Sequence, residues 1–172
     1  MHSSWVSLFP RRNINHLDAN DETFEAYQQR IQIDFPNIPA AVLEQWLFLH
    51  TRNVDMINNY GWIDYHQVQF SEISWTHEQI HQIQIFSQFQ PYVINRSQTD
   101  SFAGFMCADE DREYWETYGT WRVPIIVLKT ETITNSPKYC ELDRPFQLVE
   151  GHSRLGYYYA FTRDSQMRLF EM

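Results

Sequence analysis

The chain has little glycine, little cysteine and few basic residues for its length. Its 172 residues include five glycines, two cysteines and 13 lysines and arginines. The two cysteines, Cys107 and Cys140, form no Cys-X-X-Cys pair and lack the spacing of a zinc site. We therefore expect two free, buried thiols in a cytoplasmic protein, and a disulfide between them is the alternative that the sequence leaves open.

Long hydrophobic runs are also absent. No apolar stretch approaches the roughly 20 residues of a membrane-spanning helix, and the N-terminus lacks the apolar region of a signal peptide. These absences predict a soluble, cytoplasmic protein without membrane contacts. The hydrophobic residues make up 43% of the chain, with 16% aromatic, which is typical of a packed core and excludes a disordered chain.

Positive charge is scarce and scattered. The net charge is −9, and Arg11-Arg12 is the only pair of adjacent basic residues. Because binding to duplex DNA depends on neutralising phosphates with Lys and Arg, this composition argues against duplex DNA as a partner. An acidic, aromatic-rich surface instead suits a protein partner such as a basic toxin or nuclease.

The order of elements predicts a helical N-terminal part before a mixed α+β part. Residues 1–62 are predicted to form an arm and a helical extension, and residues 63–172 a second domain. Within the extension we expect Met1 to Asn20 to be irregular, and helices to follow where apolar residues recur every three or four positions. The fold class is therefore α+β, with a small mixed sheet and helices on one side of it.

Four features define the second domain. Thr76 to Gln79 has the pattern of a capping box that starts a helix. Resemblance to the order of elements in a known fold family, named below, implies a first strand at Val68–Ile73, a helix at Asp111 to Thr120 and a strand at Val123–Leu128. The segment Gln88–Ile94 lies between these features, and its apolar residues suggest another strand.

The most informative stretch runs from Pro145 to Gly156. A short apolar strand ends at Gly151 and is followed directly by a helix, so helix N–H groups are available for a phosphate at the positive end of the dipole. Glu150, His152, Ser153 and Arg154 surround this turn. Each of the four has an ordinary structural interpretation on its own, such as a helix cap or a surface ion pair. Together they predict a phosphate or nucleotide pocket.

The roles of these residues follow from their chemistry. Gly151 permits close approach of the backbone, and the N–H groups of His152 and Ser153 would face a phosphate. Arg154 offers a planar fork for bidentate phosphate contact. His152 could transfer a proton near neutral pH, and Glu150 could hold a metal ion or orient a hydroxyl nucleophile.

Glu150-Gly151-His152-Ser153-Arg154 resembles the Asp/Glu-Gly-His-X-Arg loop that closes the nucleotide site of the ParB/sulfiredoxin-like fold family. The similarity extends over about Gln67 to Ala160. It implies ATP, ADP or CTP with Mg²⁺ as ligand, and a phosphotransferase or nucleotide phosphohydrolase activity. It also implies that Glu78, just after the first strand, serves as the base for a phosphate-accepting hydroxyl. The sulfiredoxin cysteine is replaced by His152, so sulfinic acid reduction is not expected.

Two other classes of function stay open. The protein could be a non-catalytic acidic binding or regulatory protein, similar to an antitoxin or an immunity protein, or it could be a nuclease. His77 and His81 are the only histidines spaced four apart, and without a His-Glu-X-X-His pattern we interpret them as exposed helix residues rather than as a zinc site.

Overall fold

The structure is a computed structural model, and it describes residues 1–11, 22–131, 133, 135–140 and 142–161 together with the backbone of 167–171. The chain divides into two compact units, Met1–Phe70 with Ser136–Cys140, and Ser71–Asn135 with Glu141–Met172. The boundary between the two parts is predicted from the sequence after residue 62, and the first compact unit contains residues up to Phe70. A helical N-terminal region followed by a mixed sheet with helices confirms the predicted α+β class.

The first unit is helical. Its helices are Ser3–Ser7 (α1), Phe24–Asp34 (α2), Ala40–Val42 (α3), Phe48–His50 (α4) and Val54–Tyr60 (α5), with a π-helical segment, Leu43–Leu47, between α3 and α4. The predicted irregular arm is wrong for α1, where the His2 side chain caps the helix by accepting a hydrogen bond from the Ser4 N–H. Residues 8–11 of that arm are not helical, and residues 12–20 lie outside the described residues.

Aromatic packing explains why the start of the chain is ordered. Trp5 is fully buried, and its ring lies 6.0 Å from that of Trp46 and 5.3 Å from that of Tyr65. The indole N–H of Trp5 donates to the Thr51 carbonyl at 3.1 Å. Burial of such large rings, with the polar N–H satisfied, stabilises a helix of only five residues that has little stability by itself.

The second unit contains the sheet. Its elements are Ser71–Trp75 (β1), His77–Ile80 (α6), Ile83–Gln84 (β2), Gln90–Ser97 (α7), a 3₁₀ turn at Phe102–Gly104, Asp109–Tyr118 (α8), Ile125–Lys129 (β3), Phe146–Glu150 (β4), His152–Ala160 (α9) and Met167–Glu171 (β5). Within the described chain the five strands lie in the order β1-β5-β3-β4-β2. The sheet is mixed, since β5 is antiparallel to β1 and parallel to β3.

Local signals account for several of these elements. The Thr76 hydroxyl accepts from the Gln79 N–H at 3.4 Å, and the Gln79 side chain accepts from the Thr76 N–H at 2.8 Å, which confirms the predicted capping box. Gly119 ends α8 in the left-handed conformation, with φ of 66°. The first strand begins at Ser71, three residues later than predicted.

The predicted strand over Gln88–Ile94 is wrong, because this segment forms most of α7. Pro91 lies in the first turn of that helix, where a backbone N–H would have no intrahelical acceptor, so proline loses no hydrogen bond there. The φ angle fixed by its ring also suits a helix. Val93 is buried while Tyr92 and Ile94 on either side of it are exposed. Such alternation over three residues fits a strand as well as a helix.

One hydrophobic core joins the sheet to its helices. It contains residues from β3, β4, α8 and α9, among them Trp115, Ile125, Val127, Leu148, Leu155, Tyr157 and Tyr158. Both cysteines are free, with Cys140 buried and Cys107 partly exposed. In the described ranges no helix is long and apolar enough to cross a lipid bilayer.

Candidate functional site

The junction between β4 and α9 has the geometry that the sequence predicted. Gly151 is the N-cap of α9 and has a φ of 104°, which L side chains rarely adopt. Its carbonyl accepts from the Leu155 N–H at 2.9 Å, so the first helical hydrogen bond is in place. The backbone N–H groups of residues 152–154 come before this first hydrogen bond and point out of the helix start, which is the positive end of the helix dipole.

A cavity of about 210 Å³ opens at this junction. Four of the predicted site residues line it, namely Glu150, Gly151, Ser153 and Arg154. The other lining residues are Cys107, Asp111, Trp115, Trp121, Arg122, Val123 and Tyr157. The Arg154 side chain lies over the junction, close to Gly151. A Cβ placed on Gly151 would be only 3.1 Å from Nε of Arg154, so the absence of a side chain on the glycine leaves room for the arginine.

Two arginines and two carboxylates carry the charge of the cavity. Arg122 donates from Nε to Asp111 Oδ1 at 2.8 Å, and its terminal nitrogen lies 3.8 Å from Glu110. Burial lowers the pKa of the Arg154 guanidinium, while the carboxylates of Glu150 and Asp111 act in the opposite direction. Arg154 stays protonated, since an arginine pKa lies far above neutral pH.

The hydroxyl of Ser153 is held by a tyrosine from α7. Ser153 Oγ and the Tyr92 hydroxyl lie 2.7 Å apart, and Arg96 donates to the same Tyr92 oxygen at 3.4 Å. Burial alone would raise the pKa of Tyr92, but the hydrogen bonds with Ser153 and Arg96 outweigh it and lower the pKa. Ser153 therefore lies between the cavity and a tyrosine whose pKa is lowered by its hydrogen bonds.

Helix α7 reaches this position because α9 has a glycine at the crossing. A Cβ on Gly156 would overlap the Arg96 side chain and lie 2.8 Å from the Val93 carbonyl. The sequence prediction missed Tyr92 because it assigned a strand to Gln88–Ile94, and it missed Arg96 because that residue lies just after the predicted strand. The spacing of four between an aromatic residue and an arginine is the signal that would have placed both on one helix face.

Aromatic side chains form the apolar wall of the cavity. Tyr157 stacks on Phe105 with ring centroids 3.9 Å apart, and its hydroxyl accepts from the Met106 N–H at 2.7 Å. Trp115 and Trp121 approach edge to face at 6.0 Å. This wall is rigid, since its rings are fixed by other rings and by a backbone hydrogen bond.

His152 and Glu78 are not brought to the cavity. His152 is 9% exposed, and its ring packs 4.7 Å from that of Phe89. Glu78 is exposed on α6, which contacts the later part of α9 through His77 and Tyr158 rather than the Arg154 turn. Of the three candidate catalytic residues, Glu150 alone is among the described lining residues.

The donors at the cavity do not form a complete metal cage. Among the residues that the structure describes there is no group of three or more His, Cys, Asp or Glu side chains suited to a metal ion. Asp111 is already paired with Arg122, so Glu150 is the carboxylate best placed to contribute to a metal site. Mg²⁺ commonly takes one or two protein carboxylates and completes its shell with phosphate oxygens and water.

The chain matches no family model, no curated protein and no solved structure.

Proposed function

We propose that the cavity at the β4–α9 junction binds the phosphate-bearing part of a nucleotide, with ATP, ADP or CTP as candidates and Mg²⁺ as the accompanying ion. The observation that carries the proposal is the position of Arg154, folded over a left-handed Gly151 at the start of α9 inside a cavity. A guanidinium next to helix N–H groups is a favourable setting for a phosphate.

The size of the cavity restricts what it holds. Pockets for drug-sized ligands have volumes of about 300–1,000 Å³. At about 210 Å³ this cavity suits phosphates with a sugar, or a small phosphorylated molecule, rather than a whole nucleoside triphosphate. The base of a nucleotide would then extend beyond the described cavity.

The charges favour a metal-assisted mode of binding. Asp111 and Glu150 match Arg122 and Arg154 in number, so a bare polyphosphate would meet two carboxylates as well as two guanidinium groups. A magnesium ion bound to Glu150 would also bind the phosphate oxygens, so it would replace the repulsion between the carboxylate and the phosphate with an attractive contact. We therefore expect binding to require Mg²⁺.

Binding is better supported than catalysis. Glu78 and His152, which would supply a base or an acid, are away from the cavity, so a phosphotransferase or phosphohydrolase activity depends on Glu150 alone. The proposal includes membership of the ParB/sulfiredoxin-like family, which the strand–glycine–helix junction supports. It also includes a cytoplasmic location, which the composition supports.

The test is isothermal titration of the full chain with ATP, ADP, CTP and inorganic phosphate, each with Mg²⁺ and with EDTA. We expect at least one nucleotide to bind with Mg²⁺ and to bind more weakly in EDTA. Phosphate release from the bound nucleotide separates an enzyme from a binding protein. Absence of binding by all four ligands would overturn the proposal and favour the non-catalytic, protein-binding alternative.

A further inference from the structure

His77 and His81 bring two imidazole nitrogens together on the surface of the second unit. Their Nε2 atoms lie 2.9 Å apart, and the ring centroids 4.3 Å apart. His81 is the C-cap of α6 and keeps right-handed helical angles, with φ of −69° and ψ of −10°. The spacing of four residues therefore places both side chains on one helix face.

Helix α9 fixes both rings. His77 Nδ1 lies 2.5 Å from the hydroxyl of Tyr158, which is fully buried. The ring of His81 stacks on that of Tyr159, with centroids 5.1 Å apart and planes inclined by 15°. Because Tyr158 engages Nδ1 of His77, Nε2 is the nitrogen that this ring presents to a ligand. A hydrogen bond to the other ring nitrogen is the usual arrangement of a metal-bound histidine.

The distance between the two nitrogens fits a particular coordination geometry. Imidazole nitrogens bind first-row metal ions at about 2.0–2.1 Å. Two such ligands at a right angle are about 2.9 Å apart, whereas two ligands at the tetrahedral angle are about 3.4 Å apart. Square-planar and octahedral ions, such as Cu²⁺ and Ni²⁺, have ligands at right angles.

We propose that His77 and His81 form a two-imidazole binding site for one divalent transition-metal ion of the Cu²⁺ or Ni²⁺ type, with water in the remaining positions. Without metal, the same short distance is an N–H···N hydrogen bond. A bound ion would lie off the line between the two nitrogens, at the corner of the right angle, and both Nε2 atoms would turn their lone pairs towards it.

The site is open rather than structural. Two protein ligands leave several positions for water or for a small molecule, and the part of the chain that the structure describes supplies no third donor from His, Cys, Asp or Glu. This site is separate from the proposed nucleotide cavity, whose described lining includes neither histidine. Its test is therefore independent of the proposed function.

The experiment uses the full chain with His2→Gln as background, so that the partly exposed imidazole of His2 does not contribute to Cu²⁺ binding. Cu²⁺ and Ni²⁺ are titrated calorimetrically into this protein and into the further variants His77→Gln, His81→Gln and His50→Gln. We expect one ion per chain, at least tenfold weaker binding after either substitution in the pair, and unchanged binding in His50→Gln. Equal affinity in His77→Gln, His81→Gln and the background would overturn the proposal.

Two further measurements examine the geometry. The electron paramagnetic resonance spectrum of the Cu²⁺ form should show two nitrogen ligands, and one nitrogen after His81→Gln; a spectrum that does not change would contradict the assignment. Tyr158→Phe removes the hydroxyl that positions His77 and should weaken binding by about 10- to 100-fold. Binding of Zn²⁺ clearly tighter than that of Ni²⁺ would contradict the right-angle arrangement.

Discussion

Gly151 and Ile125 approach so closely that no side chain fits on the glycine. A Cβ at Gly151 would overlap Cγ2 of Ile125 and lie 2.8 Å from its Cβ. Ile125 belongs to β3 and is fully buried, so it has little freedom to move away. The turn that forms the edge of the cavity is therefore held against the sheet, and Arg154 closes over it.

Gly151→Ala should destabilise the protein. An alanine at a φ of 104° is strained, which costs about 1–3 kcal/mol, and its overlap with Ile125 adds to that cost. Urea unfolding followed by circular dichroism measures the change. Gly104→Ala is the control, because its Cβ would meet only the methyl end of the Thr99 side chain. A loss in Gly151→Ala no larger than in this control would show that the turn relaxes freely.

Gly156→Ala tests the packing of α7 on α9. The new methyl group would collide with Arg96 and with the Val93 carbonyl, and a backbone atom cannot rotate away. Overpacking of this kind typically costs about 1–3 kcal/mol. Unfolding in urea should show that loss, and separation of the helices should also disturb the hydrogen bond between Tyr92 and Ser153. Unchanged stability would mean that α7 is not tightly packed at this point.

Short-range signals allowed much of the candidate site to be predicted from the sequence. The strand, the left-handed Gly151 and the helix after it follow from a single stretch of chain, and so does the capping box at Thr76. The segment around Pro91 was assigned wrongly because its alternating pattern suits both a strand and a helix. The proline itself, placed where a helix begins, was the better evidence.

Long-range features could not be predicted in the same way. Strand β5 lies between β1 and β3, and no local pattern specifies which strands become its neighbours. The lining of the cavity could not be predicted from the sequence either. Asp111, Trp115 and Arg122 contribute to it because α8 and the following loop fold back to the β4–α9 junction, so their role appears only in three dimensions.

Tyr92 should ionise at lower pH than an ordinary tyrosine, whose pKa is about 10. Its pKa is lowered in the folded protein, so ionisation of Tyr92 stabilises the fold fully above the unfolded pKa, and this stabilisation is lost as the pH falls through the folded pKa. Tyrosinate absorbance at 295 nm should show an early component that Tyr92→Phe removes and that Ser153→Ala shifts to higher pH.

Tyr159→Phe is the matched control for this titration. Burial raises the pKa of Tyr159 to about 12, so its replacement should remove a late component and leave the early one in place. An early component that persists in Tyr92→Phe would assign it to another tyrosine.

Glu22 and Arg30 form a bidentate ion pair in the first unit, with Nε and a terminal nitrogen at 2.8 and 2.7 Å from the carboxylate oxygens. The hydrogen bond from Arg30 lowers the pKa of Glu22, so the pair stabilises the fold above the unfolded pKa of about 4.3 and loses this effect in more acidic solution. Glu22→Gln should cost about 1.5–3 kcal/mol at pH 7.

The difference in unfolding free energy between Glu22→Gln and the parent should shrink below about pH 4. Glu44→Gln, at an exposed position of the same unit, serves as the comparison and should change the unfolding free energy little. A penalty in Glu22→Gln that is independent of pH would indicate lost packing rather than lost charge.

Nucleotide titration of Arg154→Ala in the presence of Mg²⁺ shows whether Arg154 binds phosphate in the cavity. The matched control is Arg112→Ala, which removes a guanidinium from α8 that pairs with Asp109 and is not among the described lining residues. We predict that Arg154→Ala weakens binding by about 1.5–3 kcal/mol, or more than tenfold, and that Arg112→Ala binds like the parent. Equal affinity of Arg154→Ala and the parent would mean that Arg154 does not bind the phosphate.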